Sequence, residues 1–187
     1  LGRHVPPGSH VMDQAFTFVP VPRLWILAVL ALVAVQRVAE LFISRHHERT
    51  LRAQGAVECG AEHYPFIVAV HAGWLAALAV WAALMPPVMN PAAIALYLMV
   101  QPVRAWVIAS LGRYWTTRII SLPDAPLVRR GPYRFLKHPN YTVVVLEIAL
   151  LPLALGAWPV AALFSVLNAL VLWVRITAEN RALAARG

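Results

Sequence analysis

Cysteine is almost missing from this chain: one residue, Cys59, among 187. A single thiol excludes an intramolecular disulfide framework and any cysteine-built zinc or iron–sulfur centre. In a polar stretch it reads as an incidental side chain. Charge is scarce as well, at 13% of residues against about 25% in average soluble domains. Acids are the scarcer sign, eight Asp and Glu against sixteen Lys and Arg, for a net charge of +8. Signature motifs are missing too. No phosphate-cradling Walker loop, glycine-rich dinucleotide turn, His-Glu-x-x-His pair or nucleophile elbow occurs, so the common nucleotide, zinc and hydrolase sites have no support.

Apolar side chains take the space that charge leaves, 60% of the chain, with a mean hydropathy of +0.67. They gather in blocks of about 20 residues, the length of a helix that crosses about 30 Å of hydrocarbon. The chain therefore reads as an all-α polytopic membrane protein. Five spans are expected: Leu24 to Ser44, Phe66 to Met85, Pro91 to Leu111, Tyr141 to Leu155 and Pro159 to Ile176. Only Gly156, Ala157 and Trp158 separate the last two, which demands a tight antiparallel helical hairpin. Pro102 lies inside the third span and predicts a kink there. Residues 1–11, polar and small, read as a protease-site and vector remnant. Residues 12–187 form one domain, without internal repeat or low-complexity tract.

The basic residues segregate by loop. The loop after the first span holds Arg45, Arg49 and Arg52, and the stretch after the third holds Arg113, Arg118, Arg129, Arg130, Arg134 and Lys137. Arg175, Arg181 and Arg186 follow at the end of the fifth, while the loops after spans two and four hold none. By the positive-inside rule both long loops and the C-terminus are cytoplasmic and the N-terminus is outside, with Arg23 the one dissenting charge. Basic residues sorted by membrane side, with no nucleic-acid-binding fold signature, argue against a nucleic-acid partner.

Ionisable side chains at membrane depth cost about 2.5–3.5 kcal/mol each on insertion scales and mark function by default. Arg37, Glu40, His71, Arg104, Glu147, Arg175 and Glu179 are the candidates. Arg37 with Glu40 (i,i+3) and Arg175 with Glu179 (i,i+4) each share a helix face. Snorkelling or helix–helix salt bridging is the competing reading, and for Arg175 with Glu179 it is a helix-end salt bridge. Between spans three and four, Pro126, Pro132 and Pro139 with Gly131 break the helical pattern, so a rigid, shaped loop is expected. Its basic side chains, Tyr133, Tyr141 and His138, suit a ligand with a carboxylate and an aromatic ring, or an anionic lipid.

The run Gly131-Pro132-Tyr133-Arg134, then His138-Pro139-Asn140-Tyr141, a helical hairpin and Arg175-Ile176-x-x-Glu179 resembles the isoprenylcysteine carboxyl methyltransferase family of integral membrane enzymes. Gln36-Arg37-x-x-Glu40, Glu62-His63-Tyr64-Pro65 and His71 look like its bacterial branch that O-methylates alkylpyrones or alkylresorcinols. The resemblance implies S-adenosylmethionine in a pocket closed by the loop and the last helix. Leu127 and Val128 would line the adenosine region, Gly131 and Tyr133 would shape the loop, and Pro139 would fix the turn. His138 and Tyr141 would hold the polar end of the cofactor, with Glu179 at an amine or ribose hydroxyl. Arg175 would face the acceptor oxygen.

The acceptor would be a lipophilic small molecule taken from the bilayer, with Arg37, Glu40, His71 and Arg104 as substrate-binding candidates and membrane lipid as neighbour. A carboxylate or pyrone enol is already anionic near neutral pH. A phenol with a pKa near 10 would need a base, for which Glu147, Glu40 and His71 stay open. Localisation in a bacterial inner membrane is expected. Glu179-Asn180 stands where the eukaryotic branch tends to have paired acids, and no aromatic tail follows, which disfavours a prenylated-protein substrate. A prenylcysteine or phospholipid N-methyltransferase, a sterol-reductase-like enzyme, and a membrane scaffold or transporter are the competing readings.

Overall fold

The computed structural model describes residues 17–123, 125 and 127–184, so the reading of residues 1–11 lies outside the described residues. Among the described residues five α-helices make the fold: α1 (Arg23–Ala53), α2 (Tyr64–Leu84), α3 (Pro91–Leu111), α4 (Pro139–Ala154) and α5 (Trp158–Ala184). All but α4 are long and apolar enough to cross a membrane. At 16 residues, α4 measures about 24 Å, short of a full crossing unaided.

Two boundaries differ from the sequence reading. The first helix does not stop at Ser44 but runs to Ala53, and the fifth runs past Ile176 to Ala184. Hydropathy marks where lipid ends, whereas backbone hydrogen bonding continues into water wherever no Pro or Gly stops it. Gly55, with positive φ, follows the end of α1. Pro102 is accommodated within a continuous α3.

Successive helices run antiparallel, so the chain has a turn end, with its short connections, and a loop end, with its long polar stretches. At the turn end, β1 (Val19–Pro20) pairs antiparallel with β3 (Val88–Met89). Asn90 caps α3 by accepting from the Ala93 amide (2.9 Å), and its own amide donates to Ala154 at the end of α4 (2.8 Å). Arg23 has a local task there: it donates to the Ala83 and Met85 carbonyls, which the C-terminus of α2 leaves unpaired. At the loop end, β2 (Val57–Cys59) pairs with β4 (Ile119–Ser121), Glu58 opposite Ile120.

An apolar core fills the turn-end half, with Ile26, Leu30 and Val33 of α1, Trp74 and Leu78 of α2, Ile148 and Leu151 of α4, and Phe164 of α5. Val100, Val107 and Val143 form a smaller core toward the loop end. The outward faces carry Leu24, Leu32, Phe42, Leu84, Leu98, Met99 and Trp173, all exposed. In water that surface would be an aggregation hazard, while in a bilayer it meets a solvent of its own polarity. The protein is an integral membrane protein.

The lone thiol tests orientation. If the loop end is cytoplasmic in a bacterial inner membrane, as the distribution of basic residues predicts, a membrane-impermeant maleimide labels Cys59, which is partly exposed, in inverted inner-membrane vesicles and not in intact spheroplasts. The reverse pattern would overturn that expectation.

Candidate functional site

Most of the membrane-depth charges meet in one place. Arg37 and Glu40 come from α1, Gln101 and Arg104 from α3, and Glu147 from α4. Arg37 donates to Glu40 (3.0 Å) and Glu147 (2.8 Å). Arg104 donates to Glu40 through both Nε (2.5 Å) and an Nη, and to Glu147 through its other Nη (2.8 Å). Gln36 and Gln101 close the ring, Gln101 donating to Glu147 Oε1 (3.1 Å) and Gln36 to Gln101 (3.2 Å) and Glu40 (3.2 Å). Two cations and two anions leave no net charge, and Glu40, Arg104 and Glu147 are buried. Such a quartet locks helix register, because loss of one member strands another in low dielectric. His71 lies beside it on α2, its Nδ1 bonded to the Ile67 carbonyl one turn back (2.8 Å). The structure thus gathers four sequence-selected residues into one paired cluster, with Glu147 saturated by Arg37, Arg104 and Gln101.

A second constellation lies at the loop end, between the start of α4 and the end of α5. Pro139 sits at the first position of α4, where its fixed φ suits a helix start. His138 precedes it and makes no side-chain cap, so its imidazole is free to face α5. His138 Nε2 meets Asn180 Oδ1 (3.1 Å), and its Nδ1 lies 3.7 Å from Glu179. Tyr141, one turn on, stacks on His138 with ring centroids 5.5 Å apart and donates to Glu179 (2.5 Å). Arg175, one turn before Glu179, reaches the Tyr141 hydroxyl and donates to the Thr117 carbonyl (2.8 Å). Arg175 is only 5% exposed, yet among the described residues it makes no ion pair with a carboxylate.

A cleft of about 580 Å³ opens beside this group, with His138 and Tyr141 at its polar end and Val145, Leu146, Ala169, Leu172, Trp173 and Ile176 along α4 and α5. The volume falls within the usual range of ligand pockets, about 300–1,000 Å³.

The proline-punctuated loop reaches this site by way of α3. Arg130 Nε donates to the Ser110 carbonyl (2.8 Å). At Gly131, φ is +57°, and a Cβ there would stand 2.1 Å from Ser110 Oγ; only glycine permits both the conformation and the approach. Tyr133 packs on the Val100–Val107–Val143 cluster, its hydroxyl buried without a partner among the described residues. Burial pushes that phenol up, and the Glu179 carboxylate and Tyr141 push it further. Leu127 is half exposed. Of the residues singled out for cofactor and acceptor, His138, Pro139, Tyr141, Arg175 and Glu179 are brought together, while Gly131 anchors the loop on α3.

Sequence reasoning missed Thr117 and Ser44, and gave Tyr64 no role beyond its place in the Glu62-His63-Tyr64-Pro65 run. Ser44 Oγ accepts from the Thr117 amide (2.9 Å) and lies 2.9 Å from its hydroxyl, and the Tyr64 hydroxyl is 3.3 Å from that same oxygen. No motif marks small hydroxyls in separate segments.

With this geometry in hand, comparison defines the class. Residues 93–185 match the model of the isoprenylcysteine carboxyl methyltransferase family. The chain belongs to that family, a family of membrane methyltransferases. It is 44% identical over 162 residues to a Bacillus subtilis protein named "Uncharacterized protein YpbQ", covering 85% of this chain and 95% of that one. It is 27% identical over 165 residues to an "Uncharacterized protein" of Haemophilus influenzae, covering 86% of this chain and 96% of the relative. No solved structure matches.

Two predictions follow from the geometry. Glu147→Ala strands Nη groups of Arg37 and Arg104 and should destabilise the fold by about 3–5 kcal/mol, with Glu147→Gln costing less; thermal unfolding in detergent reads both. At the loop end Glu58 pairs with Arg52 and with Arg118 (2.5 Å). Burial alone would raise the Glu58 carboxyl, but the two guanidinium groups outweigh it and hold the carboxyl below its ordinary 4.5. Its contribution is therefore full above the ordinary value and lost as pH falls through the lower, folded-state value. The stability advantage of wild type over Glu58→Gln should be constant at neutral pH and shrink below about pH 4.5, in the same melts run from pH 7 to pH 3.

Proposed function

We propose that the protein transfers a methyl group from S-adenosylmethionine to an acidic oxygen of a lipophilic molecule taken from the bilayer. The observation that carries this is the meeting of His138, Tyr141 and Glu179 with Arg175, which is buried and without an ion pair among the described residues, beside a cleft that Lys137, His138 and Tyr141 line at one end and apolar side chains line along its walls. The residues fit the cofactor. His138 with Asn180, and Tyr141 with Glu179, offer hydrogen-bonding groups to an amine, a carboxylate and a ribose hydroxyl, and the orphaned Tyr133 hydroxyl lies behind them. Bound there, S-adenosylmethionine supplies an electrophilic methyl on a sulfonium.

The work of the chain is alignment and exclusion of water, since in-line displacement needs an acceptor lone pair aimed at the methyl carbon. Arg175 binds the acceptor oxygen and holds it anionic, a task suited to a planar guanidinium. A carboxylate or enol acceptor needs no base. That agrees with Glu147, one of the three bases considered for a phenol beside Glu40 and His71, being engaged by three donors deeper on α4. The apolar walls along Val145, Leu146, Ala169 and Trp173 accept the tail from the side. An alkylpyrone enol matches these demands: an acidic oxygen on a ring with an aliphatic tail. In this reading the loop end faces the cytoplasm of a bacterial cell, where the cofactor is made.

Isothermal calorimetry of the purified protein with S-adenosylhomocysteine tests the cofactor site. The parent should bind, and His138→Ala and Glu179→Ala should each weaken binding by about tenfold or more, the worth of a hydrogen bond to a charged group. No binding by the parent would remove the methyltransferase reading. Binding unchanged in both variants would move the site elsewhere.

A further inference from the structure

Arg175 is held at one end by a backbone carbonyl, and the position of that carbonyl is not left to its own loop. Thr117 lies between α3 and β4, where no helix fixes it. Two side chains do so instead. Ser44 of α1, fully buried, accepts from the Thr117 amide and meets its hydroxyl, both at 2.9 Å. The Ser44 hydroxyl is itself tied to Glu48 one turn on (2.7 Å). The Tyr64 hydroxyl, at the start of α2, approaches the Thr117 hydroxyl (3.3 Å), and the Tyr64 ring carries the Arg118 guanidinium 3.9 Å over its face. Ser44 and Tyr64 both lie outside residues 93–185, the part that matches the family.

We infer that Ser44, with Tyr64, is a positioning residue for methyl transfer: by clamping Thr117 it fixes the carbonyl that aims the Arg175 guanidinium at the acceptor oxygen. The inference rests on the acceptor role proposed above for Arg175. A guanidinium bonded through one Nη to a fixed carbonyl cannot swing, and its remaining donors keep one direction. If the clamp is lost, Thr117 can turn and Arg175 follows it, while His138, Tyr141 and Glu179 stay in place on α4 and α5. The clamp should therefore act on turnover and leave cofactor affinity alone.

The test uses the full chain in membranes of expressing cells, methyl-labelled S-adenosylmethionine, and label recovered in the lipid extract. Ser44→Ala should lower transfer by about tenfold, the worth of losing the hydrogen bonds at a buried amide. Calorimetric affinity for S-adenosylhomocysteine should stay within about twofold. Tyr64→Phe should lower transfer less, and Ser44→Thr, which restores a hydroxyl, should recover most of it. In an Arg175→Lys background Ser44→Ala should cost nothing further, because two residues acting through one group are not additive. Full additivity, or an equal loss of cofactor affinity, would overturn the inference.

A second readout needs no acceptor. The side-chain ¹⁵N resonance of Arg175, assigned by its disappearance in Arg175→Lys, should shift in Ser44→Ala and return in Ser44→Thr. If it is unmoved, the clamp is refuted. If the resonance shifts but the parent transfers no label, the clamp stands and the methyl-transfer reading is what fails.

Discussion

A charge inside hydrocarbon has no water to fall back on, and the Arg37–Glu40–Arg104–Glu147 quartet is how this fold meets that constraint. Each guanidinium touches both carboxylates, so α1, α3 and α4 cannot slide or rotate past one another without leaving a charge unpaired. Apolar packing alone would allow such slippage, because lipid tails are as apolar as the Leu and Val faces they replace. The quartet therefore acts as the register pin of the bundle. Its consequence for the site is metric. Tyr141 lies six residues before Glu147 on α4, about 9 Å along the axis, so pinning Glu147 sets the height at which His138 and Tyr141 meet α5.

The last helix contributes nothing to the quartet. Its turn-end half is held by shape: Phe164 lies against Gly73 of α2, and Leu172 is buried. At the loop end it is held by hydrogen bonds, Asn180 to His138, Glu179 to Tyr141 and Arg175 to Thr117. The site is therefore built at a seam between a part fixed by paired charge and a part fixed by local polar contacts. A cleft with a mouth toward lipid can form along such a seam at little cost, because no buried charge has to be broken to widen it.

Much of this was legible in the sequence, for physical reasons that differ by feature. The spans were readable because hydrocarbon thickness imposes length and composition, and the hairpin of α4 and α5 because three residues cannot join helices any other way. The membrane-depth charges were visible as a set of expensive residues, and the approach of the loop to the last helix was what the family resemblance implied. The ends of α1 and α5 were misjudged because lipid sets where apolar residues stop, not where helical hydrogen bonds stop. The pairing partners of Arg37 and Arg104 across three helices could not be read, since sequence spacing reports only neighbours on one helix. Ser44 and Thr117 escaped for a further reason: each is a common polar residue with no motif around it, and only the fold shows that they converge with Tyr64.

The contrast between the buried arginines is the strongest argument about chemistry that the fold offers. Arg37 and Arg104 show that this bundle neutralises a buried guanidinium with carboxylates when stability is what is needed. Arg175 is as buried as Arg104, at 5% exposure each, and Glu179 stands one turn away on the same helix, within reach of forming the usual i,i+4 pair. Instead Glu179 accepts from Tyr141, and Arg175 is given a backbone carbonyl and a phenol, partners that orient the guanidinium without neutralising it. Desolvating a cation in this way is costly unless an anion completes it. The arrangement agrees with the role proposed above for Arg175 as a receptor for an anionic oxygen, in which ligand binding would recover the cost of a cation that has no ion pair among the described residues.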